Sequence, residues 1–249
     1  WTILDENYCY FNYKEINWDS IGAVYRTRVT PNMTKDALFN LMAQMLSELK
    51  DGHVNLIAKH DISRYWSWKE DYPPNFNINI VDEYLSTDYS TASNMKYKIL
   101  DNERTLVGYI SHKVGTGHND FSDLYPKYLA SSNRIRYQKP VIVLTNRGCY
   151  SATNEFVSTM KHAHNTIIVG DRTGGGGGLP FSSELPNGWS IRFSASPTFD
   201  AEKKHIEFGV EPDASLEMKP GDINKMKDTY IEYARKRING AINSTSYSL

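Results

Sequence analysis

The sequence predicts an α/β fold with a small N-terminal helical subdomain, on three observations. Leu38, Leu41, Met42, Met45, Leu46 and Leu49 repeat with the 3.6-residue period of an amphipathic helix, and Thr34 stands where its N-cap belongs. Val141 to Leu144 follows Pro140 and is apolar on both faces, as a covered central strand would be. After a turn, an amphipathic segment with Phe156, Val157 and Met160 leads to a second apolar run, Thr166 to Gly170, completing a strand, turn, helix, strand unit. The division expected from this pattern is a helical subdomain over 1–60 and a core domain over 61–249.

Along the chain, the glycine of Asp51-Gly52-His53 is a helix stop signal, which places His53 on a loop or strand edge after the first helix. Residues 75–81 alternate Phe76, Ile78 and Ile80 with asparagines, the pattern of a half-buried strand. Leu106 to Ile110 also reads as a strand, and the helix after Asn146-Arg147-Gly148 starts near Ser151. The run Gly174 to Gly178 is a loop, expected as a flexible wall beside Ser151. Trp189 to Ala195 and Ile206 to Val210 suggest an antiparallel pair, and one last helix is expected over about 222–238, before a loose tail.

Composition narrows the function. Twenty-eight basic and twenty-nine acidic residues give a formal charge of -1 without any block of like charge, so there is no electrostatic footprint for nucleic acid. The apolar runs fall far short of the roughly 18 residues of a membrane-spanning helix. Two cysteines, Cys9 and Cys149, form neither a disulfide framework nor a zinc spacing. His162 and His164 are two apart on an expected helix and cannot share a face, so no metal is expected, and no cofactor. Trp1 opens the sequence without a targeting pattern, as the trimmed end of a precursor would.

Ser151 is the candidate nucleophile. A serine between a buried strand and the first turn of a helix exposes its hydroxyl, and the amide of Ala152 together with the helix dipole can stabilise an oxyanion. The same position also suits an ordinary helix N-cap. His53 has the right chemistry for a general base at neutral pH, and also suits a histidine bonding the last helix carbonyls.

The company these residues keep resembles one family. Leu144-Thr145-Asn146 through Ser151-Ala152, then Ile168 to Gly175, is similar to the nucleophile segment of the tricorn-core and C-terminal-processing serine peptidases. Asp51-Gly52-His53 resembles the family's histidine motif, and Gly209-Val210-Glu211-Pro212-Asp213 its closing signature. The resemblance implies a crotonase-like or ClpP-like core and a Ser151–His53–Glu207 arrangement, since the family's lysine position falls on Gly176, which cannot act as a base. Asp51 is the alternative third member, with Asp171 behind it.

The same resemblance implies a peptide or unfolded protein as substrate; because glycine backbone can approach a peptide closely, Gly174, Gly175 and Gly176 are candidates for its wall, and Gly117 is either a further one or part of a plain turn. It also implies an exported, periplasmic or surface location, with a lipid anchor on the precursor. A silent ligand-binding relative and a small-ester hydrolase are the competing functions. The family's second oxyanion amide comes from a segment Asp-x-Arg-x-Asn-x-Gly-Gly, which does not occur between His53 and Ser151. Either half of the oxyanion hole is lost or a segment of roughly 60 residues is missing near 102–103; the second is expected, with a wide Cα gap between Leu100 and Leu106. Too few residues lie between His53 and Asn102 for a PDZ-type appendage.

Overall fold

The computed structural model describes residues 1–80, 105–129 and 140–245. The gap expected between Leu100 and Leu106 lies outside the described residues.

Helices α1 (Thr2–Asn7), α2 (Trp18–Arg26) and α3 (Lys35–Ser47) open the chain. Two are capped as their sequences require: the Asn17 side chain accepts from the Ser20 amide, and Thr34 Oγ1 from the Ala37 amide at 3.2 Å. Strands β1 (Asn55–Ile57) and β2 (Ile62–Arg64) form a short hairpin, followed by the single turn α4 (Ser67–Glu70). Then come β3 (Thr105–Ile110), β4 (Tyr125–Leu129), β5 (Val141–Thr145), α5 (Ala152–Met160) and β6 (Thr166–Gly170). The chain continues with β7 (Gly178–Glu184), β8 (Ser190–Phe199), β9 (Ala214–Ser215), α6 (Pro220–Ile223) and α7 (Thr229–Thr245).

These strands form two open sheets. One is antiparallel in the order β2-β1-β8-β3-β4, with β7 also paired to β8; the other is parallel, β5-β6-β9. This arrangement corrects the expectation of a crotonase-like or ClpP-like core. The ten-residue β8 is the reason: it pairs with β1 at Ser190 to Arg192, with β7 from Ser190 to Pro197 and with β3 at Thr198 and Phe199, so the main sheet is built on an antiparallel spine separate from the parallel unit.

The N-terminal helices pack on the main sheet. Leu4, Tyr8, Phe11, Trp18, Phe39, Leu46 and Leu49 share one apolar core with Leu56 of β1 and Ile191 and Phe193 of β8. A second cluster packs Val157 and Met160 of α5 against Ile168 of β6 and against Ile206 and Val210.

Three expected elements differ. Residues 78–80 are helical rather than extended, because Asn77 caps them, its side chain accepting from the Asn79 amide at 3.1 Å. The antiparallel partner of β8 is β7 and not Ile206 to Val210; Asn187-Gly188, a hairpin signal, closes that pair, with Gly188 at φ 78°. The last helix is two helices, because Met226 takes φ 52° and Asp228 recaps the chain, its carboxylate accepting the amides of Tyr230 and Ile231.

Candidate active site

The approach to Ser151 is a strained elbow. β5 ends at Thr145, and Ser151 takes φ 58° and ψ -119° before α5 begins at Ala152. A non-glycine residue at positive φ costs of order 1–3 kcal/mol and persists where the surroundings over-determine it. Here they do: the Ser151 amide donates to the Gly175 carbonyl at 2.8 Å, and the Ser151 carbonyl accepts the Glu155 amide at 3.0 Å. The Ser151 hydroxyl makes no cap hydrogen bond to its helix. It meets the His53 ring instead, with Nε2 to Oγ at 2.9 Å across 98 positions of sequence. Ala152 stands at the first position of α5, where a backbone N–H has no acceptor within its helix and can turn toward a developing oxyanion.

His53 is held from its backbone. Its amide donates to Asp51 Oδ1 at 2.7 Å, its carbonyl accepts Asn55 Nδ2 at 2.7 Å, and Arg64 Nε donates to the neighbouring Gly52 carbonyl at 2.9 Å. The left-handed residue that ends the helical approach is Lys50, at φ 46°, and not Gly52. Gly52 is required by packing, since a Cβ there would stand 2.6 Å from both Trp68 Nε1 and the Tyr150 hydroxyl. His53 is 2% exposed, and its ring lies 5.1 Å from the Tyr150 ring, which Trp68 stacks at 4.0 Å. Burial pushes the imidazole pKa down to about 4; Asp51 opposes this, while Arg192, Arg64 and Lys14 reinforce it. His53 is therefore a neutral proton acceptor at pH 7.

Neither candidate third carboxylate bonds the ring, and His53 Nδ1 is buried without a hydrogen-bond partner among the described residues. Glu207, 4% exposed, accepts from the Lys14 ammonium on Oε1 at 2.8 Å and from the Gly177 amide on Oε2 at 2.9 Å. The direct imidazole contact that the resemblance implies for Glu207 is thus replaced by an ion pair. Burial and the nearby Asp51 raise the Glu207 pKa to about 7, against the pull of Lys14. Asp51 is 1% exposed; burial raises its pKa, but Lys14, the His53 ring and the His53 amide outweigh this and hold it low. Asp171 is turned elsewhere, toward Asn75, Arg147 and the Arg172 amide.

The glycine run is packed rather than an open flap. Gly174 to Gly178 are all buried, with Gly174 donating to the Cys149 carbonyl and Gly176 to the Glu207 carbonyl, each at 2.9 Å. A Cβ on Gly176 would lie 2.5 Å from the Tyr150 ring, so the run is glycine because the Tyr150 elbow and the Glu207 segment close on it from two sides. Gly174 lines a cavity of about 290 Å³ together with Gly52, Trp68, Tyr150, Arg147 and Phe208. Gly117 is not in that wall. It sits in a turn closed by the Asp120 carboxylate, beside Asn119 and His118, which contact Asn12 and Asp5. A larger cavity of about 580 Å³ lies between β5, β6 and α7 and contains none of these residues.

Sequence reasoning overlooked two supporting side chains. Asn154, fully buried on α5, donates to the Ile206 carbonyl at 2.9 Å and accepts from Thr173 Oγ1 at 2.6 Å, tying the serine helix to the segment before Glu207. An asparagine three residues after the nucleophile, on the same helix face, was the readable sign. Lys14 carried no such sign, because its partners lie 37 and 193 positions away.

Comparison with known proteins agrees with this geometry. Residues 78–216 match the model of Peptidase family S41, and residues 1–47 that of the Tricorn protease C1 domain. A crystal structure of a candidate peptidase from Parabacteroides merdae superposes with a TM-score of 0.89 at 43% identity, covering 96% of this chain and 94% of that one. A protein of Chlamydia trachomatis serovar D is 32% identical over 116 residues, 45% of this chain and 19% of its own length. The chloroplastic C-terminal processing peptidase of Tetradesmus obliquus is 31% identical over 103 residues, 39% of this chain and 21% of its own. The matched segment thus spans about a fifth of these curated relatives.

Proposed function

The chain belongs to peptidase family S41, and from that premise we propose that it is a serine endopeptidase in which Ser151 is the nucleophile and His53 the general base. The observation that carries the reading is the 2.9 Å contact between His53 Nε2 and Ser151 Oγ, made by a strained serine that forgoes its helix cap. In the forward step His53 Nε2 takes the hydroxyl proton as Oγ bonds to the peptide carbonyl carbon. The oxygen that becomes negative faces the Ala152 amide and the N-terminal end of α5. His53 then returns the proton to the leaving amine, and water repeats the sequence to release the acyl group.

Asp51 holds the base by its main chain, and Glu207 stands one ion pair behind it. The substrate proposed is an unfolded or extended polypeptide lying along the cavity lined by Trp68, Tyr150 and Gly174. The exported, lipid-anchored location implied by the resemblance is proposed with it, and fractionation of the native host would check it.

The test is hydrolysis of fluorescein-labelled casein by the purified protein and by Ser151→Ala. Cleavage that Ser151→Ala lacks supports the reading; equal cleavage by both contradicts it. Turnover of a small ester with casein left intact would select the esterase instead.

A further inference from the structure

Lys14 lies on the turn between α1 and α2, far in sequence from the reacting pair, yet its side chain is only 4% exposed. Its ammonium stands 2.8 Å from Glu207 Oε1 and 3.7 Å from Asp51 Oδ2. It also donates to the carbonyls of Leu49 and Lys50, each at 3.2 Å. The rings of Tyr8, Tyr10 and Phe208 lie 5.9, 5.4 and 5.7 Å from it, and Tyr8 donates its hydroxyl to Asp51. Burial pulls the ammonium toward the neutral form, but Asp51 and Glu207 outweigh it and keep Lys14 charged.

Each anionic partner of Lys14 holds one side of the reacting pair. Asp51 Oδ1 accepts the His53 amide at 2.7 Å. Glu207 accepts the Gly177 amide on Oε2 and the Gly176 amide on its carbonyl, and the adjoining Gly175 carbonyl accepts the Ser151 amide. One buried cation therefore connects the base loop to the nucleophile elbow.

We propose that Lys14 is a positioning residue of this site, its ammonium clamping Asp51 behind His53 and Glu207 behind the glycine run that braces Ser151, so that the two reacting side chains are kept at hydrogen-bonding distance. The proposal rests on the Ser151–His53 reading above. Without the cation, two buried carboxylates face each other and one must take a proton or move apart, which loosens both walls.

The clamp also sets the charge felt by His53. That ring faces Asp51 on its own loop, Arg64 from β2, Arg192 from β8, Lys14 from the N-terminal segment and the Tyr150 ring from the elbow. Removing Lys14 removes one of three cations that disfavour the imidazolium, so the acid limb of reactivity must move to higher pH.

The experiment measures the rate of Ser151 modification by a fluorophosphonate probe as a function of pH, with melting curves to check folding. Lys14→Met is expected to react on the order of 100-fold more slowly, as for a misplaced reacting pair, with its acid limb moved to higher pH. Lys14→Arg is expected to keep the parent's limb and to recover at least about tenfold of the lost rate. If Lys14→Met fails to fold, the double variant Lys14→Met/Glu207→Gln, which removes one charge of each sign, is expected to fold and to show the same raised limb. A folded Lys14→Met or double variant with the parent's rate and limb overturns the proposal, as does a Lys14→Arg limb displaced like that of Lys14→Met. Ser151→Ala separates the two ideas: probe uptake surviving in it would sink the active-site reading itself, whereas uptake lost there but normal in Lys14→Met sinks the clamp alone.

Discussion

Replacing Gly175 by alanine tests whether the glycine run is a brace rather than a flap. Gly175 has φ 87°, and a Cβ built on it would stand 2.0 Å from the Glu207 carbonyl oxygen and 3.0 Å from the Gly209 amide nitrogen. Both obstacles are backbone, so no side-chain rotation relieves them. The left-handed conformation costs an L-residue about 1–2 kcal/mol, and forcing a methyl into packed surroundings about 1–3 kcal/mol. Together they predict a loss of roughly 2–5 kcal/mol, and a fall in Tm of about 10 °C for a chain of this size. Gly188→Ala is the matched control: its φ is 78°, but nothing lies within 4 Å of the added methyl. It bears only the conformational cost, partly offset by a stiffer unfolded chain, for a net of about 1 kcal/mol or less. Differential scanning calorimetry of both variants measures the stability difference. Because the Gly175 carbonyl accepts the Ser151 amide, Gly175→Ala also displaces the elbow, and casein turnover should fall by on the order of 100-fold. Equal melting temperatures for the two variants, with Gly175→Ala fully active, would refute this reasoning.

Two further outcomes follow from the same geometry. Asn154→Leu leaves the Thr173 hydroxyl without its acceptor and takes one of two donors from the Ile206 carbonyl, which keeps the Gly209 amide; at about 1–3 kcal/mol for the unpaired hydroxyl and about 1 kcal/mol for the lost carbonyl bond, urea denaturation should show a loss of roughly 2–4 kcal/mol. Burial holds the His53 pKa near 4, but Glu207, raised to about 7, gives up its charge and its pair with Lys14 first; in Glu207→Gln, which lacks that earlier titration, the acid limb of kcat/KM for a soluble peptide should lie near 4 and not near 6.5.

The parts of the site legible in the sequence are those whose signals are local. Ser151 is announced by an apolar strand, a turn and a helix within twenty residues, and His53 by the end of an amphipathic helix. The β7–β8 hairpin was equally local, at Asn187-Gly188, but the aromatic and β-branched residues of Ile206 to Val210 drew the pairing away. That segment meets β8 at its start, where the Ile206 amide donates to the Thr198 carbonyl at 3.4 Å, but it turns away after that, because Gly209 takes φ 99° and the Glu207 carbonyl is engaged by Gly176. Long-range electrostatics left no trace in the sequence. Glu207 reads as the acceptor for His53 by its place before Gly209, yet its partner is Lys14, whose position depends on how the first helices dock on β1 and β8. The crotonase-like or ClpP-like core failed for a related reason: the strand, helix, strand unit was read correctly, while the antiparallel spine around β8 depends on pairings between strands far apart in sequence.

The most direct measurement is the mass-spectrometric identification of the residue carrying a fluorophosphonate adduct, compared between the parent protein and His53→Ala. The account predicts one adduct, on Ser151 Oγ, formed far more slowly when the imidazole is gone. An adduct on another serine, or labelling of Ser151 at the same rate without His53, would contradict it.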